Sequence, residues 1–366
     1  MADAAGSTAG IRLRARHPPA CARGALMARR PGLALALGLV LGSAIDALLG
    51  DPRRAHPVGC FGQAATAVER RIWADSRMRG VIFAALCAGS VMVLGIELQL
   101  KARGSRAGLA AATALATWTV LGGASLTAEA AAMARLIEAG NLPAARRQLP
   151  VLCGRDPDGL DAAALARATV ESLAENTSDA VVAPLFWGAV GGLPGLLGYR
   201  AVNTLDAMVG HRSPRYARFG WAAARLDDVA NLVPARLTSL LAVTLAPAAG
   251  GSPSRALRTV CRDGADHPSP NAGRCEAAFA GALGVQLGGN SSYQGLAERR
   301  GLLGDGPAPT ASDIHRAILL SQLTGAAATV LAAAVAAAAR GHARDERMTS
   351  QARMSGRRRT GACASR

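Results

Sequence analysis

Lysine is nearly missing from this chain of 366 residues: Lys101 is the only one, so 40 of the 41 basic residues are arginine. No Gly-Lys pair exists, which excludes a GxxxxGK[ST] phosphate loop, and a lysine Schiff base is disfavoured on the same ground. Cysteine is present but unorganised. Cys21, Cys60, Cys87, Cys153, Cys261, Cys275 and Cys363 are dispersed without a CxxC pair, and the six histidines show no metal-ligand spacing. Neither a disulfide scaffold nor a zinc site is supported. Aromatic residues amount to 3%, no repeat of fixed period is visible, and no stretch carries a strand pattern.

What remains is apolar and small. Hydrophobic residues make up 50% of the chain against 18% charged, and the mean hydropathy is +0.20. A disordered chain would lack such apolar surface, and a soluble domain would not gather it into runs. The net charge of +16 is uneven. Residues 1–31 hold six Arg against one Asp and residues 340–366 hold eight Arg against two acids, so eleven of the sixteen charges lie in two tails. No aromatics interleave with these basic runs, so they read as solvated tails beside an anionic membrane surface, with no nucleic-acid partner.

The apolar runs are 32–50, 81–100, 107–126, 181–198, 237–251 and 317–339. Most approach the roughly 20 residues that cross a bilayer. Pro184 and the Gly-Gly-Leu-Pro-Gly stretch at 191–195 interrupt the fourth, which predicts a broken or re-entrant helix. Buried helices of a soluble bundle are the competing reading, but too few aromatics are present to fill such a core. The expected fold is all-α, a multi-pass integral membrane helical protein in the cell membrane with about 4–6 membrane helices. Amphipathic helices at 125–140 and 161–180 lie between the runs, separated by Pro143 and the turn at Gly154-Arg155-Asp156-Pro157. Both basic tails favour cytoplasmic termini and an even number of spans. The 51–80 loop, with six Arg against three acids, looks cytoplasmic too, so one early run need not cross. The domain plan is a disordered basic extension at 1–30, one membrane domain at 31–339 and a disordered basic tail at 340–366. Met27-Ala-Arg-Arg stands directly before the first run, which predicts a biological start at Met27. A secretory signal peptide competes, but no small-residue cleavage site follows the run.

Four polar constellations could carry chemistry. Glu171, Glu175 and Asp179 are four residues apart. Each such step advances a helix by roughly 400°, which places them on one face, with Asn176 beside them. Like charges in register are destabilising on a bare helix, so a cation, a proton or an arginine is expected there, against the alternative of a solvated acidic face. Arg200, Asn203 and Asp206 form a second stripe at the end of an apolar run, where charge is costly unless paired. A structural Arg200–Asp206 network is its alternative. Asp227 and Asp228 are adjacent, with Arg225, Asn231 and Arg236 around them. Paired aspartates suit Mg²⁺, a hard ion that also takes substrate phosphates, and the arginines could hold phosphate or carboxylate bidentately. Surface ion pairing is the alternative. The fourth is His267-Pro-Ser269-Pro270-Asn271-Ala-Gly-Arg274-Cys-Glu276, which reads equally as a helix start, with Ser269 as N-cap and Pro270 at its first position, or as an anion site at a helix N-terminus. Asp51-Pro52-Arg53-Arg54-Ala-His56 reads as a helix stop whose Arg and His could face the same site.

Together these stretches resemble a family. The residues are LLGDPRRAHPV (48–58), VESLAENTSDAVVAPLFWG (170–188), YRAVNTLDAMVG (199–210), ARLDDVANLVPARL (224–237) and SPNAG…EAAFAGALGVQLGG (269–289). In this order they are similar to the membrane-bound CobD/CbiB family of cobalamin biosynthesis, adenosylcobinamide-phosphate synthase. The resemblance runs from about residue 33 to 335; the extension before Met27 is not part of the family pattern. It implies an ATP-dependent ligase that joins a corrin propionate of adenosylcobyric acid to aminopropanol or its O-phosphate, with ATP as co-substrate, the lipid bilayer as surroundings and other cobalamin-assembly enzymes as partners. Residue chemistry then suggests Mg²⁺ on Asp227 and Asp228, with Asp179 nearby. Arg200, Arg225 and Arg236 would hold phosphate or corrin carboxylates, and Glu171 or Glu175 would take the amine proton. Asn176, Asn203, Asn231 and Asn271, with Asp206 and Ser269, would contact substrate. A Mg²⁺-dependent membrane prenyltransferase and a non-catalytic corrinoid carrier remain as rival readings.

Overall fold

The computed structural model describes residues 31–51, 56–211, 213–293 and 296–338. The proposed start at Met27, both basic tails, and Arg53 and Arg54 lie outside them. Helices dominate: α1 (Pro31–Leu49), α2 (Pro57–Ile72), α3 (Arg77–Ala102), α4 (Arg106–Val120), α5 (Gly123–Glu138), α6 (Leu142–Leu152) and α7 (Ala162–Thr177) come first. A π-helical turn (Ser178–Val182) leads into α8 (Ala183–Gly191) and α9 (Leu193–Leu205), and a second one (Asp206–Gly210) follows. Then come α10 (Trp221–Ala230), α11 (Leu232–Leu245) with a 3₁₀ turn, α12 (Pro253–Asp263), α13 (Ala272–Leu283) and α14 (Ala311–Ala338).

Among the described residues, five stretches are long and apolar enough to cross a membrane: Pro31–Leu49, Arg77–Ala102, Arg106–Glu138, Leu232–Ala249 and Ala311–Ala338. The protein is an all-α multi-pass membrane protein, with a span count inside the expected range. Large apolar side chains face outward along α1 (Leu37, Leu41), α3 (Leu86, Val93, Leu100) and the second half of α14 (Val330, Val335). Small residues set the packing between spans. A Cβ on Gly38 or Gly42 of α1 would overlap Thr113 or Thr117 of α4, so these backbones approach as closely as glycine permits. The same register shows that α1 and α4 run in the same direction.

The run at 181–198 is broken, as its Gly-Gly-Leu-Pro-Gly stretch predicts. The chain reverses at Gly192, whose φ is +69°. Gln99 of α3 steadies the turn by accepting the Leu193 N–H at 2.9 Å. The helices α5, α6, α7, α12 and α13 join the end of α11 and the start of α14 around one apolar core that includes Met133, Leu149, Leu165, Leu173, Phe279 and Ile314.

One expectation fails. The sequence shows no strand pattern, yet β1 (Leu287–Tyr293) and β2 (Leu296–Leu303) form an antiparallel hairpin with a bulge at Gly288/Gly289. Neither strand holds a Val, Ile or Thr, so the β-branched residues that usually favour strands are absent. The hairpin is held from outside: Glu171 of α7 accepts the Gly288 N–H at 2.7 Å, and the Asp266 carbonyl accepts the Gly301 N–H at 3.0 Å.

Candidate active site

The first π-helical turn sets the site. Asp179 lies in this turn, whereas Glu171 and Glu175 precede it in α7, and Glu171 and Asp179 take different partners. Glu171 is buried and ion-paired with Arg155, from the turn before α7. Asp179 instead accepts a hydrogen bond from Asn203 Nδ2 at 3.4 Å, and the same amide donates to Asp227 Oδ1 at 3.2 Å. Asn231 Nδ2 donates to the other oxygen, Asp227 Oδ2, at 3.0 Å. Tyr199 donates its hydroxyl toward Asn231 Oδ1 at 2.9 Å and lies 3.2 Å from the Asp179 carbonyl. Three segments, the turn after α7, α9 and α10–α11, thus meet on two carboxylates bridged by an amide.

Around this core the other expected residues fall into two groups. Arg200 donates to Asn203 Oδ1 at 3.4 Å and feels the charges of Asp51 and Asp179, which brings the end of α1 to the site. Asp206 begins the second π-helical turn and feels Asp227, Asp228 and Glu175. Asn271 donates to the Asp228 carbonyl at 2.8 Å and accepts from Arg236 at 3.3 Å, while Arg225 pairs with Asp228 at 3.1 Å. These belong to the cluster. Asn176 does not share those bonds: it folds back onto Ser172 of its own helix at 2.9 Å. Ser269 accepts the Asn271 and Ala272 N–H groups at 3.3 and 3.2 Å, which is a capping role. The helix it caps begins at Ala272 rather than at Pro270, because the chain makes a further turn first. His56 is likewise a cap, accepting the Val58 N–H at 3.2 Å.

The electrostatics follow from crowding acids where water is scarce. Burial is the largest cause raising Asp206 to about 7, with Asp227, Asp228 and Glu175 adding to it. Burial likewise raises Asp227 to about 6, against the lowering effect of the Asn203 and Asn231 amides. Asp179 is pushed well above the carboxylate range by burial and by Asp227, Glu175 and Asp206, with Arg200 opposing. Among the described residues no three His, Cys, Asp or Glu side chains form a ready-made metal centre.

Several partners were not read from the sequence. Glu276, fully buried in α13, faces His267 Nε2 at 3.6 Å and Arg300 at 3.8 Å. Its carboxyl is raised by burial and then by Glu171 and Glu175. Glu175 therefore acts on acids on both sides, the Asp179–Asp227 cluster and Glu276. A lone glutamate in the Ala-rich stretch after SPNAG was the available signal for Glu276. Arg155 read only as part of a turn.

Comparison with known proteins places these stretches in context. The family model described as CobD/Cbib protein matches residues 39–321. A cobalamin biosynthesis protein CobD of Mycobacterium tuberculosis is 52% identical over 297 residues, covering 81% of this chain and 94% of the relative. The protein of the same name from Rhodobacter capsulatus is 42% identical over 308 residues, covering 81% and 96%, and that from Geobacter metallireducens is 45% identical over 271 residues, covering 71% and 84%. No solved structure matches. All five stretches that form or border the carboxylate cluster lie within the matched region, and the chain belongs to the CobD/CbiB family of cobalamin biosynthesis proteins.

Proposed function

We propose that this protein is a carbon–nitrogen ligase that joins aminopropanol, or its O-phosphate, to a propionate of adenosylcobyric acid, giving adenosylcobinamide or its phosphate. The observation that carries this reading is the convergence of Asp179, Asp206, Asp227, Asp228, Arg200 and Arg236 from distant stretches into one polar centre beside the membrane spans. A corrinoid is the natural substrate in a cobalamin-biosynthesis family, and neither a prenyl diphosphate nor passive carriage uses this inventory as fully.

A carboxylate does not accept an amine until one oxygen becomes a leaving group. ATP supplies that: a corrin propionate oxygen attacks the terminal phosphorus, ADP leaves, and the amine then displaces phosphate from the acyl carbon. The amine nitrogen must lose a proton as the amide forms. Glu175 is the better base of the two glutamates, because Glu171 is committed to Arg155 and Gly288. Arg200, Arg225 and Arg236 bring positive charge to phosphate or corrin carboxylates. Asn203 and Asn231 orient Asp227, and Asn271 orients Asp228 through its carbonyl.

The donor set fits a hard divalent cation. Buried carboxylates outnumber the guanidinium groups in contact with them, and each Asp227 oxygen accepts one amide N–H and keeps a free lone pair. Asp227 and Asp228 would hold Mg²⁺, which when bound neutralises phosphate charge.

The test is complementation in a cell lacking its own enzyme, with corrinoids read by mass spectrometry. Asp228→Asn and Glu175→Gln are expected to stop conversion of cobyric acid to cobinamide while the protein is still made. Full conversion by both variants removes this site. Corrinoid binding by the purified wild type without turnover, when ATP-Mg²⁺ and each amine are supplied, favours a carrier.

A further inference from the structure

Away from the carboxylate centre, α12 borders a second polar concavity. A cavity of about 490 Å³ opens there, lined by Arg255, Arg258, Thr259, Cys261, Arg262 and Asp305. The three arginines recur at one-turn and two-turn spacing, so they share a helix face. They are not equivalent. Arg262 is neutralised by both oxygens of Asp263 and by Asp305 at 3.1 Å.

Arg255 is anchored without being neutralised. Its Nε donates to the Gly281 carbonyl at 2.8 Å and its terminal nitrogen to the Ala282 carbonyl at 3.3 Å. Gly284 makes this possible: its φ is +75°, and a Cβ there would fall 2.6 Å from the guanidinium. Among the described residues no carboxylate pairs with Arg255. A guanidinium has five N–H donors, so these two bonds leave three unspent. Arg258 is exposed and, among the described residues, makes no hydrogen bond or ion pair, so it retains all five.

We propose that this cavity is a binding site for a phosphate group, held by Arg255 and Arg258. Planar, weakly hydrated guanidinium forks match phosphate oxygens bidentately, and one fork here is already fixed by backbone. The site is independent of the reaction proposed above. Phosphate can arrive on a soluble molecule or on a phospholipid. The second source has a geometric basis. The 3₁₀ turn that closes Leu232–Ala249 leads directly into α12, and Arg316 near the start of α14 donates to the Ala249 carbonyl at 2.9 Å. The cavity therefore lies near the ends of two membrane-length stretches, with Leu257 exposed between Arg255 and Arg258.

Cys261 is exposed and lines the cavity, so its alkylation reports occupancy. The full chain is treated with N-ethylmaleimide, and Cys261 is followed by peptide mapping, with exposed Cys60 as internal reference. The arms are inorganic phosphate and ATP without divalent cation, both in neutral detergent, and nanodiscs of phosphatidylglycerol against phosphatidylcholine. Cys261 is expected to slow relative to Cys60 with inorganic phosphate, ATP or phosphatidylglycerol, and less with phosphatidylcholine, whose phosphate is balanced by its own choline ammonium. Arg258→Gln, a change at an exposed side chain that makes no hydrogen bond or ion pair among the described residues, weakens that protection at least about tenfold, the scale of a lost charge-assisted hydrogen bond. Arg147→Gln, at an exposed arginine elsewhere, leaves it unchanged. Protection by phosphatidylglycerol alone assigns a headgroup; protection by phosphate or ATP alone assigns a soluble ligand. Equal alkylation in every arm, or protection that survives Arg258→Gln, overturns the site.

Discussion

Arg155 and Glu171 pair inside the protein, their side chains only 2% and 4% exposed, and the second carboxylate oxygen of Glu171 accepts the Gly288 N–H. One buried pair therefore keys three elements together: the turn before α7, α7 itself, and the first strand of the hairpin. Removing one partner leaves a charge without compensation, a loss of about 3–5 kcal/mol. Arg155→Ala is expected to lower the unfolding temperature of the detergent-solubilised protein sharply. Arg155→Ala combined with Glu171→Gln is expected to cost less than the single arginine change. Thermal unfolding of all four proteins of the cycle gives the coupling, and a coupling near zero removes the keying role.

The carboxylate cluster makes stability depend on pH in a defined direction. Asp206 and Asp227 are raised to about 7 and about 6, so each holds its proton more tightly folded than unfolded. The folded state then binds more protons, and stability falls as pH rises. The fall starts near the unfolded carboxylate value of roughly 4 and is complete only above the folded value of Asp206. Asp263, lowered by Arg262, acts in the opposite sense, but its contribution is lost only below the ordinary carboxylate range. Without divalent cations the unfolding temperature is expected to drop from mildly acidic to mildly alkaline pH. Added Mg²⁺ should restore more of it on the alkaline side, since only ionised carboxylates bind the ion. A Mg²⁺ effect of equal size at both pH values would count against a cation among these acids.

Much of this arrangement was legible in the sequence, for reasons that also mark where reading stops. The spans follow from apolar runs, and the break at Gly192 from Gly-Gly-Leu-Pro-Gly, because both signals are local. The pairing of Arg225 with Asp228 follows from helical spacing. Glu171 shows the limit. Steps of four residues put it on the face of Glu175 and Asp179, but its partners are Arg155 and the Gly288 N–H, 16 and 117 residues away, and no local pattern marks them. The β-hairpin was invisible because its strands lack β-branched residues and take their support from Glu171 and Asp266, which are distant in sequence. Glu276 lies in the same stretch as Ser269 and Asn271, but nothing local marks that the fold buries it against His267 and Arg300.

Tyr199 connects two parts of the site through a single hydroxyl. It donates toward Asn231, whose amide in turn donates to Asp227. Tyr199→Phe keeps the ring and leaves the Asn231 carbonyl buried without its donor, a cost of about 1–3 kcal/mol. Because that amide orients Asp227, cobinamide formation is expected to fall by about tenfold. Asn231→Ala, which frees Asp227 directly, should fall further. Corrinoid conversion measured at matched protein levels decides; a Tyr199→Phe variant as active as wild type would detach this hydroxyl from the site.

Gly192 gives the sharpest test of the broken helix. Its backbone, at φ +69° and ψ −149°, lies in a region that only glycine adopts readily, and a Cβ there would overlap Gln99 Oε1. That oxygen is the acceptor for the Leu193 N–H, so an added methyl would disturb both the turn and its clasp on α3. Gly191→Ala is the natural control: it adds the same methyl one residue earlier, where no atom lies within 4 Å and the backbone is helical. Gly192→Ala is expected to lose about 2–4 kcal/mol from strain and clash, seen as a lower unfolding temperature and a poorer yield of monodisperse protein. Gly191→Ala should match wild type or exceed it slightly, since alanine favours helix. If the two variants behave alike, the reversal at residue 192 places no constraint on how α8 and α9 present Asp179 and Asn203 to Asp227.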